Sequence, residues 1–187
     1  DKRVTSGGGY IVGDFQKIMD VGDRFALTIA GTASDAVMLA RHLRAEVKLK
    51  ELRSQNQVTV REAANLLAQF VFSNVRTPSM IPGITHFLFG GFDKDGTSLY
   101  DVFPDGTSSR IDEYFCSGSG SVYAYGHIDA AYSKDMTTEE GVALAKKALA
   151  SAIKRDTASG NGYDICVIKK GSVEMLDTVL FENPIQE

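Results

Sequence analysis

The stretch from Ser34 to Thr77, SDAVMLARHLRAEVKLKELRSQNQVTVREAANLLAQFVFSNVRT, decides the fold, because it reads as two helices in immediate succession. Ser34 can cap a first helix running to about Arg53, with Val37, Ala40, Leu43 and Val47 recurring on one face. The second opens on a capping box, Thr59 and Glu62, whose hydroxyl and carboxylate each satisfy a free backbone N–H of the first turn. It continues through Leu66, Leu67, Phe70 and Val71 and must end by Thr77, since Pro78 follows. A crossover between parallel strands uses a single helix. A helix pair therefore points to antiparallel sheets covered by helical hairpins.

The flanking segments fit that reading. Val4-Thr5 is extended and Gly7-Gly8-Gly9 forms a flexible turn; Phe15–Val21 and Arg24–Ala30 then read as strands turned by Gly22-Asp23. Beyond the helices, three short strands near His86–Phe92, Ser98–Phe103 and Ile111–Cys116 make a meander, punctuated by Asp93-Lys94-Asp95-Gly96 and Asp105-Gly106. Gly118-Ser119-Gly120 leads into a helix from about Ser121 to Tyr132. A second capping box, Thr137 and Glu140, opens another, with Val142, Ala145, Leu149, Ala152 and Ile153 on its apolar face. Strands Tyr163–Lys169 and Val173–Phe181, joined at Lys170-Gly171, follow. The expected fold is α+β: a four-layer α/β/β/α sandwich of two antiparallel sheets between helix pairs, with residues 1–187 as a single domain.

Composition bounds the function. A chain of 187 residues with 43% hydrophobic content can build one sizeable core. A net charge of −4 with no Lys/Arg stripe argues against nucleic acid as a partner. Cys116 and Cys166 have no metal or redox spacing, and Cys166 lies in an apolar run where a thiol packs as a small hydrophobe. An intracellular, reducing compartment is expected. No run of about 18 apolar residues is present to cross a membrane, and no signal peptide is visible. The sequence opens on Asp1 without an initiator methionine, which reads as a processed or truncated product.

Chemistry concentrates at a few places. In Lys154–Gly162 the second helix pair must stop, and Asp156, Thr157 and Ser159 can hydrogen-bond their own backbone beside Gly160 and Gly162. By itself this is an ordinary helix-ending loop or a site. Lys17, between Phe15 and Met19 in an alternating strand, faces a core or lies on a surface edge; facing a core, it needs a partner, and Asp1 is available across a strand pair. Gly118–Ser121 could present backbone N–H groups to an anion, although it lacks the lysine and spacing of a phosphate loop. His42, His86 and His127 stand apart without metal-ligand spacing, so neither a metal nor a cofactor is expected.

Taken together, Asp1-Lys2-Arg3-Val4-Thr5, Lys17, Thr28-Ile29-Ala30-Gly31, Gly118-Ser119-Gly120-Ser121, Tyr132-Ser133 leading to Glu140-Gly141, and Arg155–Gly160 resemble β-type subunits of the 20S proteasome, closest to the archaeal kind. These are N-terminal nucleophile hydrolases, whose fold is the sandwich described above. The resemblance implies a threonine endopeptidase that degrades unfolded polypeptide inside a barrel. That barrel is a sevenfold β ring stacked on a second β ring and capped by α-subunit rings. It also assigns residues. Lys17 would lower the pKa around the nucleophile, Asp1 would orient Lys17, and Ser119, Asp156 and Ser159 would hold the catalytic amine and its water. The Gly31 N–H would form the oxyanion hole. Val4, Met19, Ile29 and Ala33 would wall an apolar specificity pocket, and Thr5 would bind substrate backbone. The catalytic threonine of the family stands one strand and one turn before the position of Asp1. The sequence as it stands is accordingly expected to lack its nucleophile and first strand, either as part of an active parent protease or as a truncated scaffold subunit with a role in assembly.

Overall fold

A computed structural model describes residues 1–6 and 9–181. In chain order the elements are β1 (Arg3–Ser6), β2 (Tyr10–Asp14), β3 (Ile18–Asp20), β4 (Phe25–Gly31), α1 (Ala33–Ser54), α2 (Val60–Arg76), β5 (Thr85–Asp93), β6 (Gly96–Val102), β7 (Ser108–Ile111), α3 (Ser121–Ala131), α4 (Thr138–Arg155), β8 (Gly162–Lys169) and β9 (Ser172–Leu180). They group into two units. The first holds Asp1–Lys17, Glu113–Cys166 and the chain from Met175; the second holds Ile18–Asp112 and Val167–Glu174. The stem of the β8–β9 hairpin thus belongs to the first unit and its tip to the second.

The second unit is a five-stranded sheet in the order β3-β4-β5-β6-β7 with α1 and α2 packed on it. Every pairing in it is antiparallel, and the register sets Phe25, Leu27 and Ile29 opposite Gly91, Phe89 and Phe87, with Tyr100 and Val102 next across. Side chains on paired residues share a face. All of these are buried, as are Leu39, Leu43 and Val47 of α1 and Leu67 and Val71 of α2. Burying each of these large side chains contributes about 1.5–3 kcal/mol. Gly91 makes room for the layer, since a Cβ there would stand 2.3 Å from the ring of Phe25.

The first unit contains the β1–β2 hairpin, the β8–β9 stem, and α3 packed against α4. Its charged interior is satisfied internally. Lys2 Nζ lies 2.9 Å from both carboxylate oxygens of Asp164, which also accepts from the Thr178 hydroxyl at 3.0 Å.

Helix pairs and antiparallel sheets stand where the sequence places them, and both capping boxes form. Several local expectations need correction. The strand expected over Phe15–Val21 shortens to β3 (Ile18–Asp20), and a separate strand, β2, ends before it at Asp14, so Lys17 lies in the break between them and not on an alternating strand. Ile111–Cys116 is not a strand; the meander's third strand is Ser108–Ile111, because pairing with Leu99–Val102 runs through the polar Ser108–Arg110 segment. Ser34 is inside α1, whose N-cap position is Thr32. The buried stripe of α4 holds the expected Ala152, but its other members are Leu144 and Ala148, one position away from Ala145 and Leu149, which are half-buried. Gly7 and Gly8 of the expected glycine turn lie outside the described residues.

Thr59→Ala removes a capping hydroxyl that accepts from the Glu62 N–H at 3.2 Å, and should cost about 1 kcal/mol. Phe89→Ala, which empties a fully buried ring position, should cost about 3–5 kcal/mol. Denaturant unfolding of the two variants checks the ranking, and a reversed order would contradict the packing described.

Candidate active site

α4 ends because Asp156 leaves helical geometry, with φ −90° and ψ 120°, while its N–H still donates to Ala152 O at 2.8 Å. Its side chain then organises the turn. Asp156 Oδ1 accepts from the Ala158 N–H at 3.2 Å, and Oδ2 accepts from the hydroxyls of Ser119 and Ser159 at 2.6 Å each. The loop carrying Ser119 can approach this closely because Gly120 has no side chain: a Cβ there would sit 2.8 Å from Ser159 Oγ and 3.0 Å from Ala152 Cβ. Burial pushes the Asp156 carboxyl upward, but the two hydroxyls, the Ala158 N–H and the charge of Lys17 outweigh it, so it lies below the ordinary carboxylate range. It is an ionised acceptor at neutral pH.

The second part of the cluster is an ion pair. Lys17 Nζ lies 3.0 Å from each oxygen of the Asp1 carboxylate, and Asp1 Oδ1 also accepts from the N–H groups of Arg3 (2.9 Å) and Gly160 (3.3 Å). Desolvation lowers the Lys17 ammonium from the usual lysine range to about 8; the Asp156 charge opposes this and the Arg3 charge adds to it.

Backbone and guanidinium contacts knit the two parts together. Gly160 O accepts from the N–H groups of Lys2 (3.2 Å) and Arg3 (3.1 Å). The Arg3 guanidinium donates through Nη1 to Thr157 O at 2.8 Å and through Nε to Asn161 Oδ1 at 3.0 Å. The result is a lysine with reduced proton affinity held beside one carboxylate, together with a second carboxylate that orients two hydroxyls. Such a set can hold an amine or a water and assist proton transfer at neutral pH.

Asp1, Lys17, Ser119, Asp156 and Ser159, scattered through the sequence, therefore meet in one unit. Val4 and Thr5 lie in that unit on β1, opposite Gly13 and Ile11. Gly31, Met19, Ile29 and Ala33 belong to the other unit. There Met19 pairs with Leu27, on the same sheet face as the buried Ile29, and Ala33 opens α1, which packs on β4. Gly31 ends β4 with φ +93°, and a Cβ there would meet Ile84 O at 2.2 Å, so only glycine fits. Burial raises the thiol of Cys116 to about 11 and that of Cys166 in the same direction, so neither is a thiolate at neutral pH. Among the described residues no group of His, Cys, Asp or Glu is arranged to hold a metal ion, and no helix is long and apolar enough to cross a membrane.

Arg3 and Asn161 are site neighbours that periodicity does not reveal. The sequence signal for Asn161 is its type, since asparagine is one of the few non-glycine residues that readily adopt a left-handed backbone.

Comparison with known proteins gives a consistent result. Residues 1–168 match the family model described as proteasome subunit. The proteasome subunit beta of Methanocella paludicola is 42% identical over 177 residues, covering 95% of this chain and 83% of that protein. That of Methanocaldococcus vulcanius is 38% identical over 177 residues, covering 94% and 78%. That of Archaeoglobus profundus is 37% identical over 185 residues, covering 96% and 84%.

Lys17 should titrate near pH 8 by NMR of its side chain, and lower still in Asp156→Asn, because that change removes a negative charge supporting the ammonium. An unshifted or higher value in the variant would show that Asp156 does not act on Lys17.

Proposed function

We propose that this chain, which belongs to the proteasome subunit family, is the catalytic domain of a β-type subunit acting as a threonine endopeptidase on unfolded polypeptide. The observation that carries the reading is the meeting of five residues from distant parts of the sequence: Lys17 doubly bonded to Asp1, and Asp156 accepting from Ser119 and Ser159. A threonine hydroxyl is a poor nucleophile until a base takes its proton. In this family that hydroxyl and its base, the free α-amine, belong to a threonine ahead of the position of Asp1, outside residues 1–187.

Each residue then has a role. The Lys17 ammonium stabilises the developing negative charge on the threonine oxygen, and Asp1 keeps that ammonium oriented. Asp156, with the two serine hydroxyls it holds, positions the threonine amine and the water that relays its proton. The Gly31 N–H stabilises the oxyanion of the tetrahedral intermediate. Thr5 binds substrate main chain, and Val4, Met19, Ile29 and Ala33 receive the side chain preceding the cleaved bond. All four are apolar, so a charged substrate side chain would lose its hydration there without a partner. The working form is the double β ring with α-subunit rings, in the cytoplasm.

The assay uses the assembled parent protein and fluorogenic peptides. Peptides ending in Tyr or Leu should be cut faster than those ending in Arg or Glu, and the opposite order would overturn the pocket assignment. Lys17→Ala should lower kcat by about 10²–10⁴-fold. Because the ammonium is the active form, wild-type activity should fall as pH rises through about 8. A parent particle that assembles yet cuts no peptide would instead point to a subunit whose role is assembly.

A further inference from the structure

We propose that Asn161 is a positioning residue for this site: its side-chain amide bridges Arg3 to Asp14 and thereby fixes the Arg3 guanidinium against the Asp156–Gly162 turn. The inference rests on the catalytic reading above and extends it to a side chain outside the set assigned there.

Backbone conformation is the first sign. Among the described residues two non-glycines have positive φ: Gln55 at 56° and Asn161 at 61°. Gln55 is explained by its place as the C-cap of α1. Asn161 ends no helix. It stands between Gly160 and Gly162, where a third glycine would serve the backbone at no steric cost. The side chain must therefore account for the choice of residue.

Its hydrogen bonds do so. Asn161 Oδ1 accepts from Arg3 Nε at 3.0 Å, while Nδ2 donates to Asp14 Oδ1 at 2.7 Å and to Gly13 O at 3.4 Å. A guanidinium can only donate and a carboxylate can only accept, so the two neighbours dictate which way the amide points. Aspartate in this place could meet Arg3 but would face Asp14 with like charge. Serine would be too short to span both. The second anchor of the guanidinium is the Thr157 carbonyl at 2.8 Å, so two points hold its plane. Gly160 leaves the space for it, since a Cβ there would lie 2.3 Å from Arg3 Nη2.

The clamp matters because of what surrounds it. Thr157 and Gly160 flank Ser159, one of the hydroxyl donors to Asp156, and the Gly160 N–H also donates to Asp1. The charged groups acting on Lys17 are Asp1, in direct contact, Asp156, which favours its ammonium, and Arg3, which disfavours it. An Arg3 free to swing into solvent would relieve Lys17 of a positive neighbour and loosen the turn together.

The test compares the assembled parent particle with particles carrying Asn161→Gly and Asp14→Ala. Asn161→Gly keeps the backbone unstrained and deletes only the bridge. It should lower kcat about tenfold, leave KM nearly unchanged, and move the alkaline limb of the pH–rate profile to higher pH. Asp14→Ala, at an exposed position, should move the limb the same way more weakly. Assembled Asn161→Gly particles with wild-type kcat and an unmoved limb would overturn the proposal. Should that variant not assemble, an unmoved limb in Asp14→Ala overturns it as well. A wild-type particle without peptidase activity fails at an earlier step and removes the catalytic reading along with this one.

Discussion

Withdrawing charge from water is the constraint on which the site depends. A half-buried ammonium or carboxylate persists only where opposite charge and hydrogen bonds replace its hydration. The first unit answers with two acid centres. Asp1 balances Lys17 and draws two backbone N–H groups, and Asp156 collects two hydroxyls and a third N–H. Removing any one partner leaves the others short of bonds, so the residues behave as one assembly and not as independent contributors.

The same requirement shapes the backbone around them. Gly120 and Gly160 stand where a Cβ would collide with Ser159 and with the Arg3 guanidinium. The β1 segment is tied to the Gly160–Gly162 turn by main-chain bonds from Lys2 and Arg3, while the nearby Lys2–Asp164 pair is closed off by Thr178. In the second unit a different force dominates. There aromatic rings from β4 and β5 fill one sheet face beneath α1 and α2, and the strands follow chain order across the sheet, with the helix pair connecting β4 to β5.

Much of this was legible in the residues. Thr59 with Glu62 and Thr137 with Glu140 announced helix starts that depend only on neighbours a turn away. Gly22-Asp23 and Gly96 marked hairpins for a similar reason. What local reading misplaced was pairing: whether Phe15 or Tyr10 belongs to a strand is settled by the partner strand, and Ser108–Arg110 pairs with β6 despite its polar composition. At the site, resemblance brought Asp1, Lys17, Ser119, Asp156 and Ser159 onto one page. Asn161 stayed outside, because an amide between two glycines looks like any turn until its two partners are seen.

The sequence by itself therefore determined the α+β class, the two helix pairs with their caps, and the family to which the chain is similar, since these rest on short-range periodicity, capping and motif spacing. Only the tertiary structure decided that Lys17 leaves the strand to meet Asp1, that Asp156 shares one oxygen between two serines, and that Asn161 joins Arg3 to Asp14. Those are bonds between groups separated by up to 158 residues. Their partners are chosen by chain closure and by the cost of leaving charge unpaired, and neither quantity is written in any local stretch of residues.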